Sequence, residues 1–204
     1  MQAGGPAPGR RSSAAADQSG LTDRLFVAAT PPAAVRERLH AYAVDVGHPQ
    51  LRVVPAENLH VTVVFLGDVA RDSVEELAAR LGRAAAREEA FTLAIGHALP
   101  GPPRRPYMLW ALVSASEPLL RLSRVLHDAA RPLAPAQSKP LRSYAHVTLA
   151  RGRGHVRGIG AEAIAPAPPA FEVETVQLLR SHLSPGGARY ETVAELSLGV
   201  RSPT

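Results

Sequence analysis

Two short stretches carry residue types able to move protons. "LHVTVVFLG" (Leu59 to Gly67) opens with His60 and Thr62, and "AHVTLARG" (Ala145 to Gly152) repeats the opening with His146 and Thr148. Residues two apart on a strand share a face. Each histidine therefore stands beside its threonine, while Val61, Val63 and Phe65 are expected on the opposite, core-facing side. A single strand histidine is ordinarily a hydrogen-bonded structural residue; the same pair at the same offset twice suggests chemistry. Imidazole exchanges protons near neutral pH. Two imidazoles on opposite sides of a substrate can divide the work, one accepting a proton from an attacking oxygen and the other donating to the leaving oxygen. Such an arrangement suits displacement at phosphorus, where nucleophile and leaving group lie in line on opposite sides. The threonine hydroxyls can donate to the non-bridging phosphate oxygens.

The elements that would position these motifs form a repeat. "RLFVAAT" (Arg24 to Thr30) reads as a strand, and "PPAAVRERLHAYAVDV" follows as a helix with Val35, Leu39 and Tyr42 at helical spacing. The first motif strand comes next. "DSVEELAARLGRAAAREEA" predicts a second helix, capped by Asp72 or Ser73, with Val74, Leu77 and Leu81 as its stripe. "FTLAIGHAL" (Phe91 to Leu99) and "YMLWALV" (Tyr107 to Val113) read as strands on either side of "GPPRRP". "EPLLRLSRVLHDAARPL" is a third helix, and the second motif strand follows it. "FEVETVQLLRSHL" and "RYETVAELSL" read as two closing strands after an irregular Gly-, Pro- and Ala-rich connection over 152–169. A strand–helix–strand unit thus occurs twice, with 34 residues from Phe26 to His60 and 36 from Trp110 to His146. Duplication of this kind predicts two lobes about a pseudo-twofold axis, with His60 and His146 converging across the cleft. The expected fold is α+β and bilobal, with antiparallel sheets lining a central cleft and helices outside.

Composition narrows the field. The chain has 204 residues and no cysteine, which excludes disulfides, thiolate metal sites and cysteine nucleophiles. Of its 23 basic residues all but Lys139 are arginine, for a net charge of +5. A GC-rich coding sequence favours Arg, Ala, Gly and Pro together and accounts for that total; arginine also suits a phosphate-bearing partner. Residues 1–20, "MQAGGPAPGRRSSAAADQSG", are expected to be a disordered tail before a single domain over 21–204. The "RR" is followed by no apolar segment, and no run approaches the roughly 20 residues that span a bilayer. A soluble, cytoplasmic protein is expected.

The two motifs, as "NLHVTVVFLGDV" and "SYAHVTLARG", resemble those of the 2H phosphoesterases, and in particular the RNA 2′,3′-cyclic phosphodiesterases also called 2′-5′ RNA ligases. "RLFVAATPPAAVRERL" resembles that family's opening strand and helix, and "VQLLRSHLSPGGARYETV" its closing hairpin, so the likeness runs from about Leu25 to Leu196. The resemblance implies hydrolysis of a terminal RNA 2′,3′-cyclic phosphate to a 2′-phosphomonoester, without metal or cofactor, and reversible 2′-5′ ligation. It implies that His60 is the proton donor and His146 the proton acceptor. The spacing of the motifs supports the pair, but their symmetry gives it no direction. Thr62 and Thr148 carry over as phosphate-binding hydroxyls.

Arg151 has a counterpart in the family as a phosphate or RNA contact, although strict alternation puts it on the face opposite His146 and Thr148. Tyr144 shares the His146 face and could stack on a terminal base; the family often has histidine there, so the contact departs from its pattern. Arg142 could reach RNA phosphate but reads first as a solvated arginine. Tyr190 resembles a recurrent family tyrosine that burial explains equally well, and Phe65 and Trp110 read as core. Three readings compete with the cyclic phosphodiesterase: a metal hydrolase, which would need a carboxylate-rich ligand cluster; the same chemistry on another cyclic nucleotide; and a non-catalytic RNA-end-binding protein. The cleft lies within one chain, so a monomer suffices.

Overall fold

A computed structural model describes residues 21–114, 116–135, 138–141, 145–158, 170–184 and 187–200. The expected tail over 1–20, Arg142 and Tyr144 lie outside the described residues. Among those described, the chain runs β1 (Thr22–Ala29), α1 (Ala33–Val46), β2 (Arg52–Val53), β3 (Val61–Ala70), α2 (Val74–Ala85), β4 (Phe91–Gly101) and β5 (Met108–Val113). It continues through α3 (Glu117–Ala130), β6 (Lys139–Pro140), β7 (Ala145–Arg151), β8 (Ala170–Val173), β9 (Thr175–Ser184) and β10 (Gly187–Ser197). The fold is α+β, as the repeat predicts: three helices on a curled antiparallel sheet of order β10-β9-β1-β3-β7-β5-β4-β8, with β2 on β7 and β6 on β3.

That order is symmetric about its middle. β3 mirrors β7, β1 mirrors β5, and the outer strands β9 and β10 mirror β4 and β8. The two halves form the lobes, and they meet where Val61 of β3 pairs with Val147 of β7. The helices tie the halves together. α1, which follows β1, packs on β7, and α3, which follows β5, packs on β3. Each therefore covers a strand of the other lobe.

Apolar spacing explains the helices. α2 buries Val74, Leu77, Leu81 and Ala85, and α3 buries Leu119, Leu122, Leu126 and Ala130, each at three- and four-residue steps. Pro118 sits in the first turn of α3, where its missing N–H leaves no bond unmade. α1 buries only Leu39 and Ala43, with Val35 and Tyr42 partly buried beside them, and ends on Gly47 at φ 55°. The expected cap of α2 differs. A 3₁₀ turn over Arg71–Ser73 leads directly into the helix, so Ser73 has helical backbone and makes no cap bond; its hydroxyl donates to the Asp72 carboxylate at 3.2 Å.

Two sequence expectations need correcting. "FEVETVQLLRSHL" is two strands divided at Glu174, because β8 pairs with β4 at one end of the sheet order while β9 pairs with β1 and β10 at the other. One residue links opposite ends, so the sheet curls until they meet, and Glu89 and Gly199 bridge the seam. The counterpart of Phe26 is also Met108 rather than Trp110. Phe26 pairs with Phe65 as Met108 pairs with Arg151, and Ala28 pairs with Thr62 as Trp110 pairs with Thr148.

Those pairings expose a bulge in each motif strand. Between Val27↔Val64 and Ala28↔Thr62 the residue Val63 has no partner, and between Leu109↔Ala150 and Trp110↔Thr148 neither has Leu149. The two bulges fall at the same place, one residue beyond each H-V-T. Both unmatched carbonyls are satisfied from outside the pairing. The buried Ser123 hydroxyl of α3 donates to Val63 O at 2.7 Å and accepts from Leu141 N at 2.7 Å, while Val54 N donates to Leu149 O at 2.8 Å. Ser123→Ala leaves a buried carbonyl and an amide unpaired and should cost about 1–3 kcal/mol. Urea denaturation is the check: a midpoint unchanged from wild type would show that Ser123 does not secure the first bulge.

Candidate active site

The lone β3–β7 pair determines which side chains meet. Val61 and Val147 are fully buried on the core face. Their sequence neighbours on both strands therefore turn to the other face, which brings His60, Thr62, His146 and Thr148 together, all half-buried. Neither threonine hydroxyl has a hydrogen-bond partner among the described residues, whereas Thr30, just past the end of β1, donates to Gln177 Oε1 at 2.8 Å.

Beyond the threonines the bulges reset the alternation. Val63 and Val64 are both buried, as are Leu149 and Ala150, so Phe65 and Arg151 return to the cleft face. Strict alternation therefore misplaces Arg151: it shares the face of His146 and Thr148 because the strand is bulged. Phe65 is likewise not core. It is half-buried in a cleft-side cluster with Phe26, Ala28, Leu179 and Tyr190, under the Arg24 guanidinium at 4.9 Å.

Each histidine has its own aromatic wall. Phe26 lies 5.0 Å from His60 in a tilted contact, and Tyr190 meets the same imidazole edge-on at 5.1 Å. Trp110 stacks on His146 at 4.0 Å with only 19° between the planes. On its outer side Trp110 lies against Gly101, where any Cβ would collide with the indole. The reading of Trp110 as core is thus corrected: it is half-buried on the cleft face and pairs with Thr148. Sequence reasoning missed Phe26 and Trp110 as partners of the histidines. The available signal was an aromatic in the first strand of each repeat.

The backbone partner and burial of His60 fix its proton and its charge. His60 Nδ1 lies 2.8 Å from Asn58 O. A carbonyl only accepts, so Nδ1 carries the proton and Nε2 is the titrating nitrogen. Burial excludes the charged ring and pushes the His60 pKa down to about 4, with smaller contributions from Arg151 and His146 and partial opposition from the Asn58 carbonyl. In the free protein at neutral pH His60 is therefore neutral. Asn58 also donates to Ala188 O at 3.0 Å, which ties the β9–β10 hairpin to the cleft wall.

The arrangement offers two imidazoles, two hydroxyl donors and one guanidinium on one concave face, the set that displacement at a phosphate uses. The chain as a whole is similar to known proteins. A family profile described as LigT like Phosphoesterase matches residues 30–108. The chain is 30% identical over 182 residues to an RNA 2′,3′-cyclic phosphodiesterase of Escherichia coli K12, across 86% of this chain and 96% of that protein. A protein of the same name from Archaeoglobus fulgidus is 26% identical over 176 residues, across 82% and 96%. Among solved structures, TT0787 of Thermus thermophilus superposes with a TM-score of 0.76 at 26% identity, covering 88% of this chain and 100% of that one. Escherichia coli LigT complexed with 3′-AMP does so at 0.68 and 27%, covering 87% and 99%. The chain belongs to the LigT-like phosphoesterases of the 2H phosphoesterase superfamily.

Proposed function

We propose that this phosphoesterase opens the 2′,3′-cyclic phosphate at an RNA terminus, leaving a 2′-phosphomonoester, by two-histidine general acid–base catalysis in the cytoplasm. The observation that carries this reading is the convergence of both His-x-Thr units on one face at the Val61–Val147 pair. One histidine takes a proton from the attacking water, and the other protonates the 3′-oxygen as its bond to phosphorus breaks. Thr62, Thr148 and Arg151 bind the non-bridging oxygens, and the fixed donors stabilise the charge that develops there. Ligation uses the same groups when the 5′-hydroxyl of a second RNA attacks the cyclic phosphate in place of water: its oxygen bonds to phosphorus, the bond to the 3′-oxygen breaks with that oxygen taking up a proton, and a 2′-5′ linkage remains.

No metal is assigned a role. Among the described residues, no three His, Asp or Glu side chains group closely enough to hold one. With both proton transfers assigned to histidines, hydrolysis of a short RNA ending in a 2′,3′-cyclic phosphate should proceed in EDTA. His60→Ala and His146→Ala should each lower kcat by about 10²-fold or more. Loss of activity in EDTA, or a product bearing a 3′-phosphate, would contradict the mechanism. Binding without turnover on this RNA and on small cyclic nucleotides would favour the end-binding alternative.

The proposed roles are donor for His60 and acceptor for His146. A donor must be protonated in the complex, yet free His60 titrates at about 4. The bound phosphate anion must then attract the protonated ring strongly enough to outweigh its burial, as well as the smaller contribution of Arg151. Histidine ¹H–¹⁵N NMR should follow His60 titrating near 4 in the free protein and markedly higher with a nucleoside 2′-phosphate bound. kcat should fall as pH rises through that bound-state value. If His60 stays neutral in the complex through about pH 6, near the ordinary histidine pKa, the roles are reversed and His60 is the acceptor.

Trp110 is a positioning residue, holding the His146 plane between itself and the cleft. Trp110→Leu should lower kcat about tenfold or more while KM changes little, with Trp110→Phe recovering part of the loss. Equal losses in both variants that track a lower melting temperature would reduce Trp110 to a packing role.

A further inference from the structure

Arg151 faces a second feature besides the cleft. β2 places Arg52 directly opposite Arg151 as its antiparallel partner. Like charges directly opposite one another destabilise a pair. Arg153 and His155 stand close by on the loop after β7, and the four side chains line an open groove of about 670 Å³. Among the described residues no carboxylate lines it. Among them too, Arg52, Arg151 and Arg153 make no ion pair; Arg83, Arg87 and Arg131 are likewise unpaired, but Arg52, Arg151 and Arg153 line this one groove together.

The groove has fixed walls. Gly152 N donates to Tyr107 O at 2.6 Å, Val156 N to Pro106 O at 2.8 Å, and Val156 is buried beneath the loop. His48 Nε2 donates to Arg157 O at 3.0 Å, which ties the far side of the loop to the end of α1. Gly152 lies so close to Val156, Gln50 O and Tyr107 O that a side chain there would force the loop outward. Arg52 also reaches the cleft rim, with Nη1 3.9 Å from where a Cβ on Gly187 of the β9–β10 hairpin would stand. An uncompensated cluster of guanidinium groups therefore begins at the active-site arginine and leads away from it.

We propose that this groove is a second phosphate subsite, which receives the internucleotide phosphate 5′ to the terminal nucleotide of a single-stranded RNA. The inference rests on the cyclic phosphodiesterase reading, since the RNA chain must leave the cleft from the nucleotide held there. Arg151 is shared by the two subsites, and Arg52 and Arg153 belong to the second. Arginine on backbone phosphate is sequence-independent and salt-sensitive. The groove thus distinguishes an oligonucleotide end from a cyclic mononucleotide without reading its bases.

The test compares kcat/KM on 2′,3′-cyclic AMP with that on a diadenosine ending in a 2′,3′-cyclic phosphate. A third substrate carries a neutral methylphosphonate in place of the internucleotide phosphate. Wild type should prefer the charged dinucleotide by about tenfold, and the methylphosphonate should remove that preference. Arg52→Gln and Arg153→Gln should each reduce the dinucleotide-to-mononucleotide ratio about five- to tenfold and lose sensitivity to the linkage charge. Removing one of two opposed cations should leave the melting temperature unchanged or raised. A ratio indifferent to both variants and to the linkage, in an enzyme that turns over all three substrates, overturns the subsite. Binding of diadenosine 2′-phosphate, measured on the same variants, separates the two proposals. Weaker binding in Arg52→Gln and Arg153→Gln without any wild-type turnover would retain the subsite and refute the hydrolase reading.

Discussion

Backbone pairing at the centre of the sheet, and its failure just beyond, governs this molecule. Val61 and Val147 pair across the dyad and face the core, which turns His60, Thr62, His146 and Thr148 to the cleft. One residue past each threonine the strand carries an unmatched residue, Val63 or Leu149. A regular strand would then send Phe65 and Arg151 to the core face. An arginine there would have to be buried unpaired, at a severe desolvation cost. The bulge avoids that conflict, and Ser123 on one side and Val54 on the other satisfy the carbonyls it frees.

The same device breaks the symmetry it inherits. Equivalent positions deliver Phe65 in one lobe and Arg151 in the other. His60 consequently sits among Phe26, Tyr190 and the apolar cluster, desolvated and neutral. His146 stacks on Trp110 and belongs to the strand that ends in the Arg151 cation beside an open groove. Two motifs with identical H-V-T cores therefore offer different environments, which two proton-transfer roles require. Direction in the chemistry comes from the neighbours of the motifs.

Much of this was legible in the sequence. The repeat, the three helices and the convergence of the two histidines follow from apolar spacing and from the recurrence of H-V-T. Arg151 was the residue that period-two reasoning handled worst. A bulge is a register relation between strands, and no single strand's sequence displays it; only two adjacent buried residues, Val63 with Val64 and Leu149 with Ala150, hint at the change of phase. Trp110 and Phe65 were misread for a related reason. Large aromatics suit a core, and their assignment to the cleft depends on pairing partners in distant segments. The division of "FEVETVQLLRSHL" at Glu174 is equally long-range, because it reflects how far the sheet curls. Tyr144, taken from the sequence as a base contact, lies outside the described residues.

The most direct measurement of the central claim is a crystal structure with a nucleoside 2′-phosphate bound. The phosphate is expected between the two H-V-T segments, within hydrogen-bond distance of His60 Nε2, the His146 ring, both threonine hydroxyls and Arg151. A phosphate held by the arginines of the groove alone, with either histidine beyond reach, would contradict it.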